Sequence, residues 1–230
     1  RATALSLLLR NYPGEEGNQA LAVALADLEG LVRHTAITNF QARDQAAAVK
    51  MVAPLLLDPL RAVRMQAAVL LADVPDAQLE PYQREARAEG LAEYRRAMAH
   101  VLDFACAGHN LANLAARLGD AATAEKYYRT AIAIDDLFYP AKMNLAVILN
   151  AEGRNDEAGA LLRSILASDP NQYEAAYSMG LLLAEMGRYV EAEPYLARAA
   201  AGMPDHEGAQ RNLRAIRDYL AQVGGVAAER

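Results

Sequence analysis

The sequence lacks several features that define whole classes of protein. It has one cysteine, Cys106, so no disulfide can form within the chain, and its thiol content does not indicate a redox compartment. Tryptophan is absent, and the longest apolar runs, such as residues 51–57, fall far short of the roughly 20 residues of a membrane-spanning helix. The net charge is −6 and the arginines are scattered among acids, whereas phosphate binding depends on clustered Lys and Arg. We therefore expect neither a membrane span nor a nucleic-acid partner.

Catalytic and cofactor motifs are missing as well. The chain has no glycine-rich phosphate loop, no His-Glu-x-x-His, no Gly-x-Ser-x-Gly and no Cys-x-x-Cys-His for haem attachment. Cys106 and His109 form a single Cys-x-x-His without the second ligand pair that zinc needs, so we interpret them as a structural histidine beside a buried thiol. The sequence predicts a protein that is not an enzyme and that holds no metal or cofactor. An enzyme with a dispersed site stays a less favoured alternative.

The composition and one strict repeat predict the fold of the C-terminal half. Abundant Ala, Leu and Arg favour helices. Gly119, Gly153 and Gly187 recur every 34 residues, and a set of alanines repeats that interval five positions further on: Ala124, Ala158 and Ala192. This pattern resembles the tetratricopeptide repeat, a helical hairpin that must stack on its neighbours to bury its apolar face.

The repeat frame predicts three units, at residues 105–138, 139–172 and 173–206. Residues 207–222 are predicted to form a capping helix, and residues 223–230 a flexible tail. We expect glycine to end each first helix, and we expect small and bulky residues at fixed positions to fill the space between helices. The predicted core positions are Leu111, Ala112, Ala124, Tyr128, Ala131, Leu145, Ala146, Ala158, Leu162, Ile165, Met179, Gly180, Ala192, Leu196 and Ala199.

A different rhythm occupies the N-terminal part. Asp27, Val32, Arg33 and Ala36 recur 31 residues later as Asp58, Val63, Arg64 and Ala67, a pattern that resembles HEAT repeats. We assign residues 1–76 to HEAT-like hairpins and residues 77–104 to a joining helix or degenerate tetratricopeptide unit. The predicted fold is therefore an all-α solenoid of HEAT-like and then tetratricopeptide hairpins, closed by a capping helix.

In tetratricopeptide arrays, fixed positions of the first helices line a concave groove, so the resemblance implies a binding surface here. The candidate peptide or partner-binding residues are His109, Asn113, Arg117, Met143, Val147, Asn150, Tyr177, Leu181, Glu185 and Arg211. We expect an extended peptide there, with asparagines bonding its backbone and Met143, Tyr177 and Leu181 making apolar contacts. His109, Asn113 and Asn144 partly resemble the carboxylate clamp of co-chaperones. Glu174 opposes that interpretation, because it would repel a peptide terminus.

Three sequence segments taken together resemble one class of larger protein. Asp58-Pro59 with Val63-Arg64, Glu93-Tyr94-x-x-Ala97 and residues 137–141 before Asn144 together resemble the C-terminal half of exported bacterial multihaem c-type cytochromes with a HEAT and tetratricopeptide tail. The resemblance implies a periplasmic location and haem only in an upstream region, since this segment has no haem motif. The chain begins at Arg1 inside an expected helix, so we expect a longer precursor that carried any export signal.

The leading hypothesis is a non-catalytic helical-repeat scaffold for protein–protein interaction, the accessory region of a larger exported redox protein. Its partner would be a protein or peptide, such as the haem domain of the same parent protein. The alternative is a cytoplasmic tetratricopeptide adaptor or co-chaperone that binds a peptide terminus in its groove. Upstream export and haem motifs would distinguish the two.

Overall fold

The chain is helical throughout the described part. The computed structural model describes residues 1–11, 15–40 and 44–228, and every regular element within those ranges is a helix. The prediction of an all-α fold is confirmed. The chain divides into two compact units: the first comprises Arg1–Leu102 and Asn113–Asp120, and the second comprises Asp103–Ala112 and Ala121–Arg230.

The first unit packs short helices around a core of aliphatic residues. Its complete helices are α1 (Ala2–Asn11), α2 (Glu15–Ala24), α3 (Gly30–Thr38), α4 (Gln45–Val52), α5 (Arg61–Leu70) and α6 (Pro81–Ala99), with a 3₁₀ turn at Ala53–Leu57 and another at Asp76–Gln78. Pro81 opens α6, where a missing backbone N–H costs nothing. Gly90 lets α6 approach α5 closely, since a Cβ there would come within 2.7 Å of the Cβ of Ala68.

The 31-residue rhythm has a structural counterpart in this unit. Nη1 of Arg33 donates to the backbone oxygens of Asp27 and Leu28 (2.7 and 3.0 Å), and Nη1 of Arg64 donates to those of Asp58 and the residue after it (2.9 and 3.2 Å). Arg33 also binds the Asp58 carboxylate through Nε at 2.6 Å, with both side chains largely buried. Burial alone would raise the pKa of Asp58, but the hydrogen bonds from Arg33 and from the backbone N–H of Leu60 lower it below its usual value. The two arginines therefore perform the same task one period apart.

The second unit is a series of helical hairpins. Its helices are the first half of α7 (Ala105–Arg117), then α8 (Ala121–Ile134), α9 (Tyr139–Ala151), α10 (Asn155–Ser168), α11 (Tyr173–Glu185), α12 (Tyr189–Gly202) and α13 (Glu207–Ala228). All fifteen predicted core positions are buried, and in α13 Leu213 and Ile216 are buried as well. The packing logic inferred from the repeat is confirmed.

A glycine ends the first helix of each of three hairpins, and the backbone conformation is the same in all three. Gly119, Gly153 and Gly187 have φ of +77°, +76° and +74°, a conformation that side chains with a Cβ rarely adopt. In each case the glycine N–H and the following N–H bond back to the last turn. For example, Gly153 bonds to the Asn150 oxygen at 2.9 Å, and Arg154 to the Leu149 oxygen at 2.8 Å. This paired closure is the Schellman arrangement, which gives every hairpin the same turn.

The C-terminal helix differs from expectation in length. The sequence predicts an end at residue 222 and a flexible tail from residue 223, whereas α13 continues to Ala228. The two alanines near its end are strong helix formers, and the two adjacent glycines weaken the helix without providing a stop such as proline. Residues 229–230 of the predicted tail lie outside the described residues.

Candidate functional site

A groove opens in the second unit between two first helices, α9 and α11. It has a volume of about 130 Å³. One wall presents Met143, Val147 and Asn150 from α9, which share a helix face because they are four and three residues apart. The other wall presents residues 178, 181 and 185 of α11 in an equivalent row. The remaining lining residues form the floor: Ala146, Ala158, Leu162 and Leu182.

The floor of the groove is apolar and buried, while its walls reach solvent. Ala158 is fully buried, Leu162 is 2% exposed and Leu182 is 4% exposed. Val147 on the wall is 65% exposed and stands beside this buried floor. The groove therefore offers uncovered apolar surface that a partner can bury.

One end of the groove is polar and carries negative charge. Nδ2 of Asn150 donates to Oε2 of Glu185 at 2.7 Å, which links the last turn of α9 to the last turn of α11. Glu185 is the only charged group among the groove-lining residues that the structure describes. Two helix C-termini, each with partial negative charge, add to the field of this carboxylate.

The Asn150–Glu185 bond belongs to a series of contacts between first helices 35 residues apart. Nδ2 of Asn144 lies 3.1 Å from Nε2 of His109, which accepts the bond when the imidazole is neutral. Nδ2 of Asn212 in α13 donates to the Tyr177 hydroxyl at 2.9 Å. Each contact joins one repeat position to the next position in the following repeat. Polar side chains thus link successive first helices.

The structure brings together half of the predicted groove residues. Met143, Val147, Asn150, Leu181 and Glu185 line one groove. The other predicted residues of this unit lie elsewhere: His109, Tyr177 and Arg211.

Tyr177 and Arg211 do not line the groove. The Tyr177 ring packs on that of His206, with centroids 4.9 Å apart, so its aromatic surface faces α13. Arg211 is exposed on α13. The other two predicted residues, Asn113 and Arg117, belong to the first unit, where Nε of Arg117 donates to Oδ1 of Asp73 at 2.9 Å.

His109 is held within the repeat stack. Its ring packs against those of Tyr128 and Phe138, at centroid distances of 5.8 and 5.3 Å, and it contacts Asn144. Burial lowers the pKa of the imidazole below its ordinary value, which favours the neutral form. A neutral, enclosed ring is poorly suited to hold a peptide carboxylate.

Cys106 departs from expectation. The sequence predicts a buried thiol beside His109, but Cys106 is exposed. It occupies the second position of α7, where the neighbouring alanines, not the cysteine, face the core. Across the described residues, no three His, Cys, Asp or Glu side chains lie close enough together to hold a metal ion. Nor does any helix of the described chain have the length and apolar character needed to cross a bilayer.

An ion network that the sequence did not reveal ties α8 to α10. Arg154 binds Glu125 through both terminal nitrogens, at 2.7 and 2.9 Å, and it also binds Glu152 and Glu157. Arg129 binds Glu125 as well, at 2.7 Å. The hydrogen bond from Arg154, reinforced by Arg129, holds the pKa of Glu125 at about 2. Spacing indicates only the local pairs, Glu125 with Arg129 four residues later and Arg154 with Glu157 three residues later. The bond between Arg154 and Glu125 joins residues 29 positions apart, and no spacing rule predicts it.

The first unit contains a larger hollow that no sequence pattern predicts. It has a volume of about 620 Å³ and lies among the ends of α2 and α4 and the adjoining turns. Its lining is mainly apolar, including Leu25, Met51 and Leu55, with Lys50 at its edge. Asp27 and Arg33 of the 31-residue repeat are among its lining residues, but that repeat predicts helical hairpins and carries no signal for a hollow.

Comparisons with known proteins agree with this geometry. Residues 115–182 match one family model described as a tetratricopeptide repeat, and residues 160–207 match another. These residues form tetratricopeptide repeats. No curated protein matches the chain in sequence.

Solved structures share the tetratricopeptide fold. TTC0263, a thermophilic tetratricopeptide protein of Thermus thermophilus, is 16% identical with a TM-score of 0.53, and the match covers 88% of this chain and 98% of that one. YrrB, described as a tetratricopeptide protein with an unusual peptide-binding site, is 17% identical with a TM-score of 0.51, covering 92% of this chain and 98% of its own. At these identities the likeness concerns the fold alone.

Proposed function

We propose that the chain is a non-catalytic helical-repeat scaffold for protein–protein interaction, and that its second unit binds an extended peptide segment in the groove between α9 and α11. The observation that carries this proposal is the exposed wall residue Val147 above a buried apolar floor. Covering that surface with a partner's side chain removes apolar area from water, which is the main driving force of association.

The shape and polar groups of the groove favour a peptide over a small molecule. The groove has a volume of only about 130 Å³ and its wall residue Val147 reaches solvent, whereas small-molecule sites are clefts of roughly 300–1,000 Å³ that enclose most of the ligand. The amide of Asn150 uses one N–H on Glu185, so its other N–H and its carbonyl oxygen can bond a peptide main chain. YrrB, whose description names a peptide-binding site, shares the fold and supports the proposal only by analogy.

We extend the proposal to the first unit and to the setting of the protein. The parallel bonding of Arg33 and Arg64, 31 residues apart, supports an assignment of this unit to HEAT-like repeats. The exported setting, a periplasmic location and a haem domain as partner rest on the sequence resemblance. Sequencing the gene upstream of Arg1 tests them: export and haem-attachment motifs support the setting, and their absence from a complete reading frame refutes it.

The alternative of a cytoplasmic adaptor that captures a peptide terminus receives less support from the geometry. His109 and Asn144 are engaged with one another, and Glu174 is exposed on α11. A peptide carboxylate would meet Glu185 at the polar end of the groove and be repelled. Weighing these contacts, we favour capture of an internal segment over capture of a C-terminus.

The test uses two matched valines. Val147 lies on the groove wall and is 65% exposed, whereas Val190 lies on α12 outside the groove and is 74% exposed. Peptides are selected on the immobilised chain from a random-peptide display library, and their affinities are measured by fluorescence anisotropy. Val147→Gln should weaken binding about fivefold, because a contact of roughly 40 Å² contributes roughly 1 kcal/mol. Val190→Gln should leave binding unchanged.

Two results would reject the peptide-binding proposal. In the first, no peptide is enriched over a control protein. In the second, peptides bind but the two valine variants behave alike, which would place binding outside the groove.

A further inference from the structure

The apolar part of the groove can receive one side chain. Met143, Val147 and Leu181 surround a floor of buried aliphatic carbon, and no charged group lies among them. An aliphatic or aromatic side chain placed here gains burial without leaving a polar group unpaired.

The other end of the groove favours a cation. Glu185 is exposed, and Asn150 fixes it through Oε2, so Oε1 accepts no bond from the described residues. The arginines that follow Asn150 and Glu185 most closely in sequence are already paired with other carboxylates. Arg154 pairs with three glutamates, and Arg188 pairs with Glu191 at 2.6 Å. The field at this end therefore comes from Glu185 and the two helix C-termini, and it is negative.

The length of the groove sets the spacing between the ligand residue at its apolar end and the ligand residue at its acidic end. Met143 and Asn150 are seven residues apart on α9, which corresponds to about 10 Å along the helix axis. An extended peptide advances about 3.3 Å per residue, so this distance spans about three ligand residues.

From these three observations we infer that the groove selects a segment in which an apolar residue is followed or preceded, about three positions away, by lysine or arginine. The inference rests on the proposed peptide-binding function and adds its specificity. Glu185 is the specificity-determining residue, and an acidic residue at the same ligand position is rejected. The net charge of −6 also favours the approach of a basic partner segment.

The test combines a ligand change with a protein change. Two fluorescein-labelled peptides are used, one selected from the library and one in which its lysine or arginine is replaced by methionine, which keeps length and removes charge. For the natural chain, the replacement should weaken binding about three- to tenfold, as expected for a partly exposed ion pair. In Glu185→Gln the two peptides should bind alike. The control Glu174→Gln makes the same charge change elsewhere on α11 and should preserve the difference.

The possible outcomes distinguish a failure of this inference from a failure of the peptide-binding proposal. Glutamine keeps an oxygen for Asn150, so Glu185→Gln should fold normally, which circular dichroism verifies. If selected peptides bind and respond to Val147→Gln but show no basic residue, or if Glu185→Gln keeps the lysine preference, the inference is wrong and the peptide-binding groove stands. If binding is absent or insensitive to Val147→Gln, both fall together.

Discussion

Replacing Gly180 by alanine should destabilise the chain, because α11 passes close to Leu196 of α12 at this position. A Cβ at Gly180 would lie 2.6 Å from Cγ and 2.8 Å from Cδ2 of Leu196, and 3.3 Å from its backbone nitrogen. Leu196 is fully buried, so its side chain has no free space to move into. Overpacking of this kind costs about 2 kcal/mol, while alanine returns about 1 kcal/mol of helix propensity. The net loss of about 1 kcal/mol should lower Tm by about 3 °C.

Gly159 provides the matched control for this substitution. It also lies within a helix, but a Cβ there would meet the mobile end of Arg163 at 3.1 Å and Leu182 at an ordinary 3.6 Å. Gly159→Ala should therefore gain most of the helix propensity and raise Tm by about 2 °C. Thermal and urea unfolding followed by circular dichroism measure both variants. If Gly180→Ala were as stable as Gly159→Ala, the close packing of α11 on α12 would be refuted.

Three further predictions concern single contacts. Glu125→Gln should cost about 1 kcal/mol at pH 7. Because the pKa of Glu125 is lowered to about 2, this contribution to stability should be complete above about pH 4.5 and vanish as the pH falls towards 2. A constant difference in urea midpoint between the variant and the natural chain from pH 7 to pH 2 would contradict this prediction. Gly153→Ala should cost about 1 kcal/mol because φ is +76°, and Gly153→Asn should cost less; equal melting temperatures for both variants and the natural chain would argue against the strained turn. Asp58→Ala should cost about 3 kcal/mol of unfolding free energy, because it leaves Arg33 buried without its carboxylate, and replacing both residues by aliphatic ones should recover most of that loss. Hydrogen exchange in α3 and α5 measures the change in stability. Unchanged protection from exchange would disprove the role of the pair.

The sequence predicts the core and the turns well because both obey the repeat. Positions such as Ala124, Leu162 and Leu196 are small or bulky for the same steric reason in every hairpin, so three copies reinforce one another. The glycines repeat because one backbone conformation is needed three times. A residue that every repeat requires occurs at the same position in all three repeats, so it can be identified from the sequence alone.

The candidate site was only partly predictable, because its contacts vary from repeat to repeat. The three polar contacts between first helices join His109 to Asn144, Asn150 to Glu185, and Tyr177 to Asn212. An asparagine donates in each, but its partner is a different residue type every time. Their spacing of 35 residues differs by one from the repeat period, since each joins a position to the next position one repeat later. Transferring groove positions from the family therefore found Asn150 and Glu185 but gave no indication that they bind one another.

The bond between Asn150 and Glu185 also affects how the groove would bind. A free glutamate side chain loses about 1 kcal/mol or more of conformational entropy when a ligand fixes it. Here the donor from the preceding first helix already holds the carboxylate in place at 2.7 Å, so that cost belongs to folding and not to binding. A peptide cation would consequently meet a preorganised anion, and affinity would depend on the contact between two repeats as much as on the carboxylate itself. Asn150→Ala removes this donor and also the amide that can bond the peptide main chain, so the decisive comparison is between peptides. The substitution should weaken the lysine-containing peptide more than its methionine counterpart, whereas a groove that recognises charge alone would weaken both equally.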